Sequence, residues 1–250
     1  MGKAFKIDTE IPWFLTDIHG VLKPAGFMDF AQEMANEAAE QLGFGFDTLA
    51  ERGCAWVLSR VHIIYHDAPR WREQAHLATW HKGLSGPFFV RDFLLKDNDG
   101  RIRVSATSSW VVMDTVSRRL VRADALSDII PGTPQCEEDA IEENVRKIVF
   151  PRGIAPANAA SHAVSYTDVD KLGHTNNACY LAWAMDCLPQ DISMSQTPRE
   201  IYLNILKETH MGETVELKLW QETNENGQTF WLEGLAAGVP VFSCKIILRS

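Results

Sequence analysis

The sequence lacks three things: an excess of positive charge, a long apolar run and a closely spaced cysteine pair. Among its 250 residues, 24 Lys and Arg stand against 33 Asp and Glu, which gives a formal net charge of −9. Binding to nucleic acid requires a dense basic face, so this balance argues against that class of protein. No apolar run reaches the roughly 18 residues of a membrane-spanning helix, and the first residues contain no apolar signal core. We therefore expect neither a membrane span nor a secretory leader.

The cysteine pattern points to a reducing compartment. The five cysteines are an odd number and include no C-x-x-C pair, so neither a disulfide framework nor a cysteine-based metal site is expected. The eight histidines are scattered along the chain. These patterns predict a cytoplasmic protein without a bound metal ion.

Apolar and aromatic residues, in contrast, are plentiful. Hydrophobic residues make up 46% of the chain and charged residues 23%, which is typical of a folded globular protein and excludes a disordered one. The eight tryptophans and twelve phenylalanines are enough to fill a core or to line an apolar ligand pocket. Composition alone leaves both uses open.

The hydrophobic spacing predicts one long helix followed by an antiparallel meander. Apolar residues recur at helical spacing over residues 26–42. The segments that follow are rich in β-branched and aromatic residues, as strands are. They cover residues 54–66, 74–82, 87–97 and 101–114. Asp97–Gly100 is typical of a tight hairpin turn.

The second half of the chain repeats this order. A helix is predicted over residues 175–188, and strands are predicted over residues 198–209, 213–222, 228–236 and 241–248. Between the halves, residues 131–155 contain Pro, Gly and an acidic run. We interpret that stretch as a solvated acidic linker, with room for a short helix.

Residue identities support an internal duplication. Thr16–His19 resembles Thr167–Asp170, which lies 151 positions later. Residues 73–80 share Glu, Leu and Trp with residues 213–220, which lie 140 positions later. Two matches in the same order, inside the same pattern of elements, favour a true repeat.

A long helix wrapped by an antiparallel sheet is the hotdog architecture, and two copies in one chain would form its usual dimer covalently. We therefore predict an α+β double hotdog. The expected division is an N-terminal hotdog at residues 1–130, the linker at 131–155 and a C-terminal hotdog at 156–250. Because hotdog pairing is satisfied within the chain, a homodimer is neither required nor excluded.

A polar cluster precedes the second predicted helix. It consists of Asp170, His174, Asn176 and Asn177, and at the 151-residue offset the first copy has His19, Lys23, Ala25 and Gly26. The unpaired N–H groups at a helix start carry the positive end of its dipole and can stabilise an oxyanion. A carboxylate and an imidazole beside them can supply a nucleophile or base and a proton relay. The asymmetry between the copies favours a functional role.

Structural roles for the same residues stay open at this point. Asp and Asn before a helix are often N-caps, and this applies to Asp168 and Asn176 in particular. A single histidine in a turn, such as His174, is commonly held by local hydrogen bonds. The grouping of these residues, rather than any one of them, points to chemistry.

Four stretches resemble one known family, in order and over nearly the whole chain. They are residues 56–61 (WVLSRV), 108–120 (SSWVVMDTVSRRL), 166–183 (YTDVDKLGHTNNACYLAW) and 205–208 (ILKE). They are similar to the acyl-acyl-carrier-protein (acyl-ACP) thioesterases of plants and bacteria. The resemblance implies hydrolysis of fatty acyl thioesters carried on acyl carrier protein, with release of free fatty acid and with no metal or cofactor.

The resemblance also implies roles for individual residues. The catalytic Asp, His and Glu of the family fall on Asp170, His174 and Glu208, and the acyl chain is expected in the first hotdog. The family's Asn, two residues after the Asp, falls on Leu172, which cannot donate a side-chain hydrogen bond. Either Asn176, Asn177 or helix amides then supply the missing donor, or the chemistry is weaker or altered. Thr209 stands where some members have a cysteine.

Other functions remain compatible with the residues. They are an acyl-CoA thioesterase, a non-catalytic acyl-thioester binder and a hotdog dehydratase. Docking of an acidic carrier protein needs a local basic patch. Two clusters could provide one: Arg118, Arg119 and Arg122, or Arg146, Lys147 and Arg152.

Overall fold

The fold is a single antiparallel sheet that encloses two central helices. This computed structural model describes residues 4–225 and 227–248, and in them eleven strands join one sheet. Strands run in the order β1-β3-β4-β5-β2-β8-β11-β10-β9-β7, with β6 pairing β5. This arrangement confirms the predicted α+β double hotdog.

The first copy contains six strands and two helices. They are β1 (Phe5–Glu10), α1 (Pro24–Gln41), α2 (Phe46–Glu51), β2 (Cys54–Tyr65), β3 (Gln74–Ser85), β4 (Phe88–Lys96), β5 (Ile102–Asp114) and β6 (Leu120–Val121). The second copy contains β7 (Ala157–Ala163), α3 (Asn177–Asp186), α4 (Gln190–Ser193), β8 (Pro198–Ile205), β9 (Thr214–Asn224), β10 (Gly227–Ala236) and β11 (Val239–Leu248). Strand β1 and helix α2 were not predicted from the sequence.

Helix α1 forms because its apolar residues fall on one face. Phe27, Ala31, Met34 and Ala38 are buried against the curved sheet. The helix begins two residues earlier than predicted, at Pro24, whose fixed φ suits the first helical position. Among the helices of the described chain, none is both long and apolar enough to cross a membrane.

The two copies join edge to edge through β2 and β8. The register runs from Arg60 opposite Asn204 to Ile64 opposite Glu200. At this junction His62 Nε2 lies 2.7 Å from a Glu200 carboxylate oxygen, which lowers the pKa of Glu200 to about 2. One continuous hydrophobic core extends under both copies.

The true register of the repeat differs from the one that the sequence suggested. Thr16 bridges Leu22 as Val169 bridges Thr175, an offset of 153 (from 16 to 169) rather than 151. Asp17 is therefore the counterpart of Asp170, and the prediction that His19 stands opposite Asp170 is wrong. The shared Thr-Asp dipeptide misled because Asp168 caps a 3₁₀ turn, whereas Asp17 builds the next loop.

With the corrected register, other pairings change as well. The counterparts of His174, Asn176 and Asn177 are Val21, Lys23 and Pro24, rather than Lys23, Ala25 and Gly26. The offset of 140 between the later strands holds. The Glu73 carboxylate accepts from the Arg70 N–H as the Glu213 carboxylate accepts from the His210 N–H.

The stretch that connects the copies packs on the sheet at three positions and is not solvated along its whole length. It contains no helix between residues 131 and 155, and Ile141, Val145 and Ile148 are buried. The Ala140 N–H donates to Asp92 and the Ile148 N–H donates to Asn204, at 2.8 and 2.9 Å. Its apolar residues explain the difference, because they are buried while the acidic residues of the same stretch are exposed.

Candidate active site

A tight loop built around Asp170 leads into α3. The Asp170 Oδ1 atom accepts hydrogen bonds from the N–H groups of Leu172 (2.8 Å) and His174 (3.4 Å), and the Asp170 N–H donates to the His174 carbonyl (2.9 Å). Gly173 allows the turn because it adopts a φ of 77°. No described residue donates to Oδ2, so this oxygen is available for chemistry.

The start of α3 is tied to the helix of the other copy. The Asn176 side chain accepts from the Ala178 N–H (2.9 Å) and from Gln32 Nε2 on α1 (2.8 Å). Asn177 Nδ2 donates to Gln32 Oε1 at 3.3 Å. Asn176 is thus an N-cap, as the structural alternative predicted. The backbone N–H of Asn177 has no acceptor among the described residues.

Asp168 also has a structural role. It forms a capping box with Ser165, and its Oδ2 atom lies 3.0 Å from His162 Nε2. Burial works to raise the pKa of Asp168, but the hydrogen bonds from His162 and Ser165 hold it below its usual value. Those bonds account for its conformation, and Asp168 does not line the cavity described below.

His174 and Glu208 meet on the other side of the same loop. His174 Nε2 lies 3.5 Å from Glu208 Oε2, and both side chains are about four-fifths buried (24% and 21% exposed). Arg118, from the turn between β5 and β6 in the first copy, forms an ion pair with the same Glu208 oxygen. The structure therefore brings together a histidine and a glutamate that are 34 residues apart, as the resemblance implied.

Buried hydroxyl groups fix Glu208 in place. The next residue, Thr209, is fully buried, and its Oγ1 lies 2.7 Å from Thr175 Oγ1 and 2.9 Å from the Tyr180 hydroxyl. The Tyr180 hydroxyl also accepts from the Thr209 N–H, at 3.1 Å. These bonds attach the loop after β8 to α3, and with it the Glu208 backbone.

A cavity of about 680 Å³ opens beside this loop, between α1, α2 and the sheet of the first copy. Aromatic side chains from the first copy line it, and the second copy contributes Asp170, Lys171, Leu172, Asn176 and Asn177. The aromatic residues are Phe44, Phe46, Trp56, Phe89 and Trp110. His174 and Glu208 are not part of this lining. Asp170 thus lines the cavity and also accepts a hydrogen bond from the His174 N–H.

The same cavity contains a buried positive charge that the sequence reasoning missed. Arg91 is only 6% exposed, and its guanidinium donates to Thr79 Oγ1 at 3.3 Å. Burial lowers its pKa to about 10. The signal in the sequence is an arginine at an inward-facing position of β4, between Phe89 and Phe93. Among the described residues, no carboxylate lies within ion-pair distance of it.

The remaining predictions about the site concern metals and cysteines. In the described chain, no three His, Cys, Asp or Glu side chains are grouped so that they could hold a metal ion. Cys179, which is part of α3, lies near Asp168, and burial raises its pKa to about 11. A thiol with such a pKa is a weak nucleophile at neutral pH.

Family comparisons agree with this architecture. The sequence model of the acyl-ACP thioesterase N-terminal domain matches residues 2–130, and that of the C-terminal domain matches residues 154–243. The chain belongs to the acyl-ACP thioesterase family. Among curated relatives of this family, oleoyl-acyl carrier protein thioesterase 1 of Arabidopsis thaliana is 29% identical over 211 residues. That match covers 79% of this chain and 58% of the relative, so the chain spans little more than half the length of that protein.

Solved structures of the family share the fold. An acyl-ACP thioesterase from Bacteroides thetaiotaomicron is 24% identical, with a TM-score of 0.85 and coverage of 98% of both chains. The 12:0-ACP thioesterase from Umbellularia californica is 21% identical, with a TM-score of 0.84, and covers 98% of this chain and 97% of that one. The double hotdog is therefore common to bacterial and plant members of the acyl-ACP thioesterase family.

Proposed function

We propose that this chain hydrolyses fatty acyl thioesters carried on acyl carrier protein and releases free fatty acid, which would end fatty acid synthesis. The observation that carries the proposal is the cavity of about 680 Å³ that reaches Asp170 at the start of α3. The Arabidopsis relative is named as an oleoyl-acyl carrier protein thioesterase, which supports the same reaction class here.

In the proposed complex, the acyl chain occupies the aromatic-lined cavity of the first hotdog. The thioester carbonyl then lies at the start of α3, where the Asn177 N–H is available as a donor and the helix dipole favours negative charge. Asn176 Oδ1 already caps the helix, so its contribution is to hold α3 in position. Backbone amides would thereby provide the stabilisation that Leu172 cannot.

Asp170 Oδ2 is the proposed reactive oxygen. It either attacks the carbonyl carbon, which gives an acyl-aspartyl anhydride that water then opens, or it takes a proton from the attacking water. In both routes the carbon–sulfur bond breaks and a thiolate leaves. A free thiol has a pKa of about 8.5, so the leaving group needs little acid catalysis.

The His174–Glu208 pair completes the proposed machinery. Glu208 orients the imidazole through the 3.5 Å contact, and His174 relays a proton to or from the water. The His174 N–H donates to Asp170 Oδ1, so a shift of one residue is expected to displace the other.

We also propose the partner and the setting. The partner is acyl carrier protein with its fatty acyl-phosphopantetheine arm, and the setting is the cytoplasm. The support for the cytoplasm is the odd number of cysteines. The Arabidopsis relative, in contrast, is named as chloroplastic. Fractionation of the native cells, followed by immunodetection, tests the setting.

The deciding experiment offers the purified protein acyl carrier protein loaded with chains of several lengths, and the matching acyl-CoA esters. Free fatty acid and free carrier thiol, formed faster from the carrier-protein substrate, are the expected products. A preference for acyl-CoA would contradict the choice of carrier. An enoyl thioester product would indicate a dehydratase, and binding without turnover would indicate a non-catalytic acyl-thioester binder.

A further inference from the structure

Arg118 has an unusual backbone conformation for its residue type. It lies in the turn between β5 and β6, with a φ of 56°, in the left-handed region that favours glycine. The turn is held by Asp114, whose carbonyl accepts from the Arg118 N–H at 3.0 Å. The Asp114 Oδ1 atom also accepts from the Val116 N–H at 3.1 Å. A glycine would fit this turn with less strain, so an arginine here has a conformational cost.

The side chain at this position reaches the other copy. The Arg118 guanidinium donates to Glu208 Oε2, the oxygen that lies 3.5 Å from His174 Nε2. The three groups form a chain from the first hotdog to the proposed proton relay. Glu208 is fixed from behind by Thr209, as described above, and Arg118 supplies the contact at the carboxylate itself.

The neighbouring arginines have different surroundings. Arg119 is exposed, and its carbonyl accepts a hydrogen bond from the Asp114 N–H at 2.9 Å. Arg122 forms two hydrogen bonds with Asp124, at 3.0 and 3.1 Å. The three residues form one cluster in the sequence, but in the structure Arg118 alone among them contacts Glu208.

We propose that Arg118 is a positioning residue for the reaction rather than part of a carrier-docking surface. Its charge-assisted hydrogen bond selects the rotamer in which Glu208 faces His174. A free glutamate would sample several rotamers, and the imidazole would lose its fixed partner. The inference rests on the proposed function, because the role is defined by turnover.

The two roles predict different kinetics. A docking residue raises KM for the carrier-protein substrate and spares turnover of a small soluble acyl thioester. A positioning residue lowers kcat on both substrates, because misplacement of a catalytic group by about 1 Å can cost on the order of a hundredfold. For Arg118→Met we expect kcat to fall about tenfold to a hundredfold on both substrates. We expect KM to change by less than about threefold.

Two further variants separate positioning from folding. Arg118→Lys keeps a positive charge within reach of Glu208 and is expected to recover part of the lost kcat. Arg118→Gly removes the side chain but relieves the left-handed backbone. The glycine variant is therefore expected to lose as much kcat as Arg118→Met while its unfolding temperature does not fall.

The matched control is Arg52→Met. Arg52 is also a surface arginine of the first copy that forms an ion pair, with Asp128 at 2.6 Å, and its side chain is 40% exposed against 49% for Arg118. In the described chain, Arg52 contacts no residue of the site. The kcat of the Arg52→Met variant should therefore equal that of the wild type.

The outcomes separate the positioning role of Arg118 from the proposed thioesterase function. Wild-type protein that hydrolyses acyl thioesters, with Arg118 variants that keep kcat, overturns the positioning role. A rise in KM on the carrier substrate alone overturns it as well and assigns Arg118 to docking. Wild-type protein that hydrolyses no acyl thioester contradicts the proposed function, and the positioning role fails with it.

Discussion

The two copies contain the same loop, surrounded by different residues. In the first copy, Asp17 Oδ1 accepts from the N–H groups of His19 (2.8 Å) and Val21 (2.9 Å), as Asp170 Oδ1 does from Leu172 and His174. The turn geometry is therefore a property of the repeat, and an aspartate in this place builds the turn whether or not chemistry occurs there.

What separates the copies is the set of residues around that turn. Where the second copy has His174, Asn177 and Glu208, the first has Val21, Pro24 and Ala68. The aspartate is shared, so its presence is weak evidence for catalysis. The histidine, the glutamate and the cavity beside Asp170 distinguish the second loop. Variants that exchange features between the loops test this comparison.

The largest effect is expected from the paired variants Asp170→Asn and Asp17→Asn. Asparagine retains an Oδ1 acceptor, so both turns should persist and any loss of stability should be similar in the two variants. Hydrolysis should fall by about 10² to 10⁴ in Asp170→Asn, the usual range for a lost acid–base group, and stay unchanged in Asp17→Asn. Steady-state assays and thermal unfolding measure the two quantities. Full activity in folded Asp170→Asn would contradict the site assignment.

A similar exchange is His174→Val, which gives the second loop the residue of the first. Valine is accommodated at the equivalent bridge between Val21 and Arg70, so the fold should be retained. We expect kcat to fall about a hundredfold or more, because the variant removes the proposed proton relay. Turnover of a small acyl thioester, with circular dichroism as the check on folding, measures the result. An unchanged kcat would leave His174 as a turn residue only.

Tyr180→Phe tests how firmly the second loop is held. The change removes the hydroxyl that accepts from the buried Thr209 N–H. Leaving that donor unpaired is expected to cost about 1–3 kcal/mol of unfolding free energy, and it frees Glu208 to move, so kcat should fall as well. Urea unfolding measures the first effect. The matched control is Tyr202→Phe, which also removes a tyrosine hydroxyl, one that donates to Glu200 at 2.6 Å rather than bonding to Thr209. A Tyr180→Phe protein as stable as the wild type would exclude this anchoring role.

The smallest expected effect concerns Leu172, the counterpart of His19. Leu172 is 45% exposed and lines the cavity, so an asparagine side chain there can reach a bound thioester. If a missing donor limits the rate, Leu172→Asn should raise kcat by up to about tenfold, less than the hundredfold that a lost oxyanion donor can cost. Single-turnover kinetics gives the rate of the chemical step. A rate that stays level or falls in a folded variant would mean that the helix amides already suffice.

The strands and long helices could be predicted from the sequence because their residue patterns are local. The spacing of Phe27, Ala31, Met34 and Ala38 identified α1, and the turn at Asp97–Gly100 separated β4 from β5. Strand β1 was not predicted because its polar and apolar residues alternate over only six positions. The burial of Ile141, Val145 and Ile148 was missed because it depends on contacts with strands that are far away in sequence.

Part of the candidate site could be proposed from the sequence, for similar reasons. Asp170, His174 and Asn177 fall in one short segment, and the resemblance added Glu208. Gln32, Arg91 and the role of Arg118 depend on contacts between distant segments, and spacing along the chain contains no sign of those contacts. The offset error arose because a Thr-Asp pair occurs twice for unrelated reasons, and only the backbone bridges distinguish the two.

The junction between β2 and β8 has a consequence for how such a protein can vary. In a dimer of identical subunits, each substitution appears twice, once at each symmetry-related position. Here the partners are one chain, so a substitution at position 174 appears once and leaves position 21 free. The covalent link thus allows each loop to change on its own, so polar side chains can be present in one copy and absent from the other.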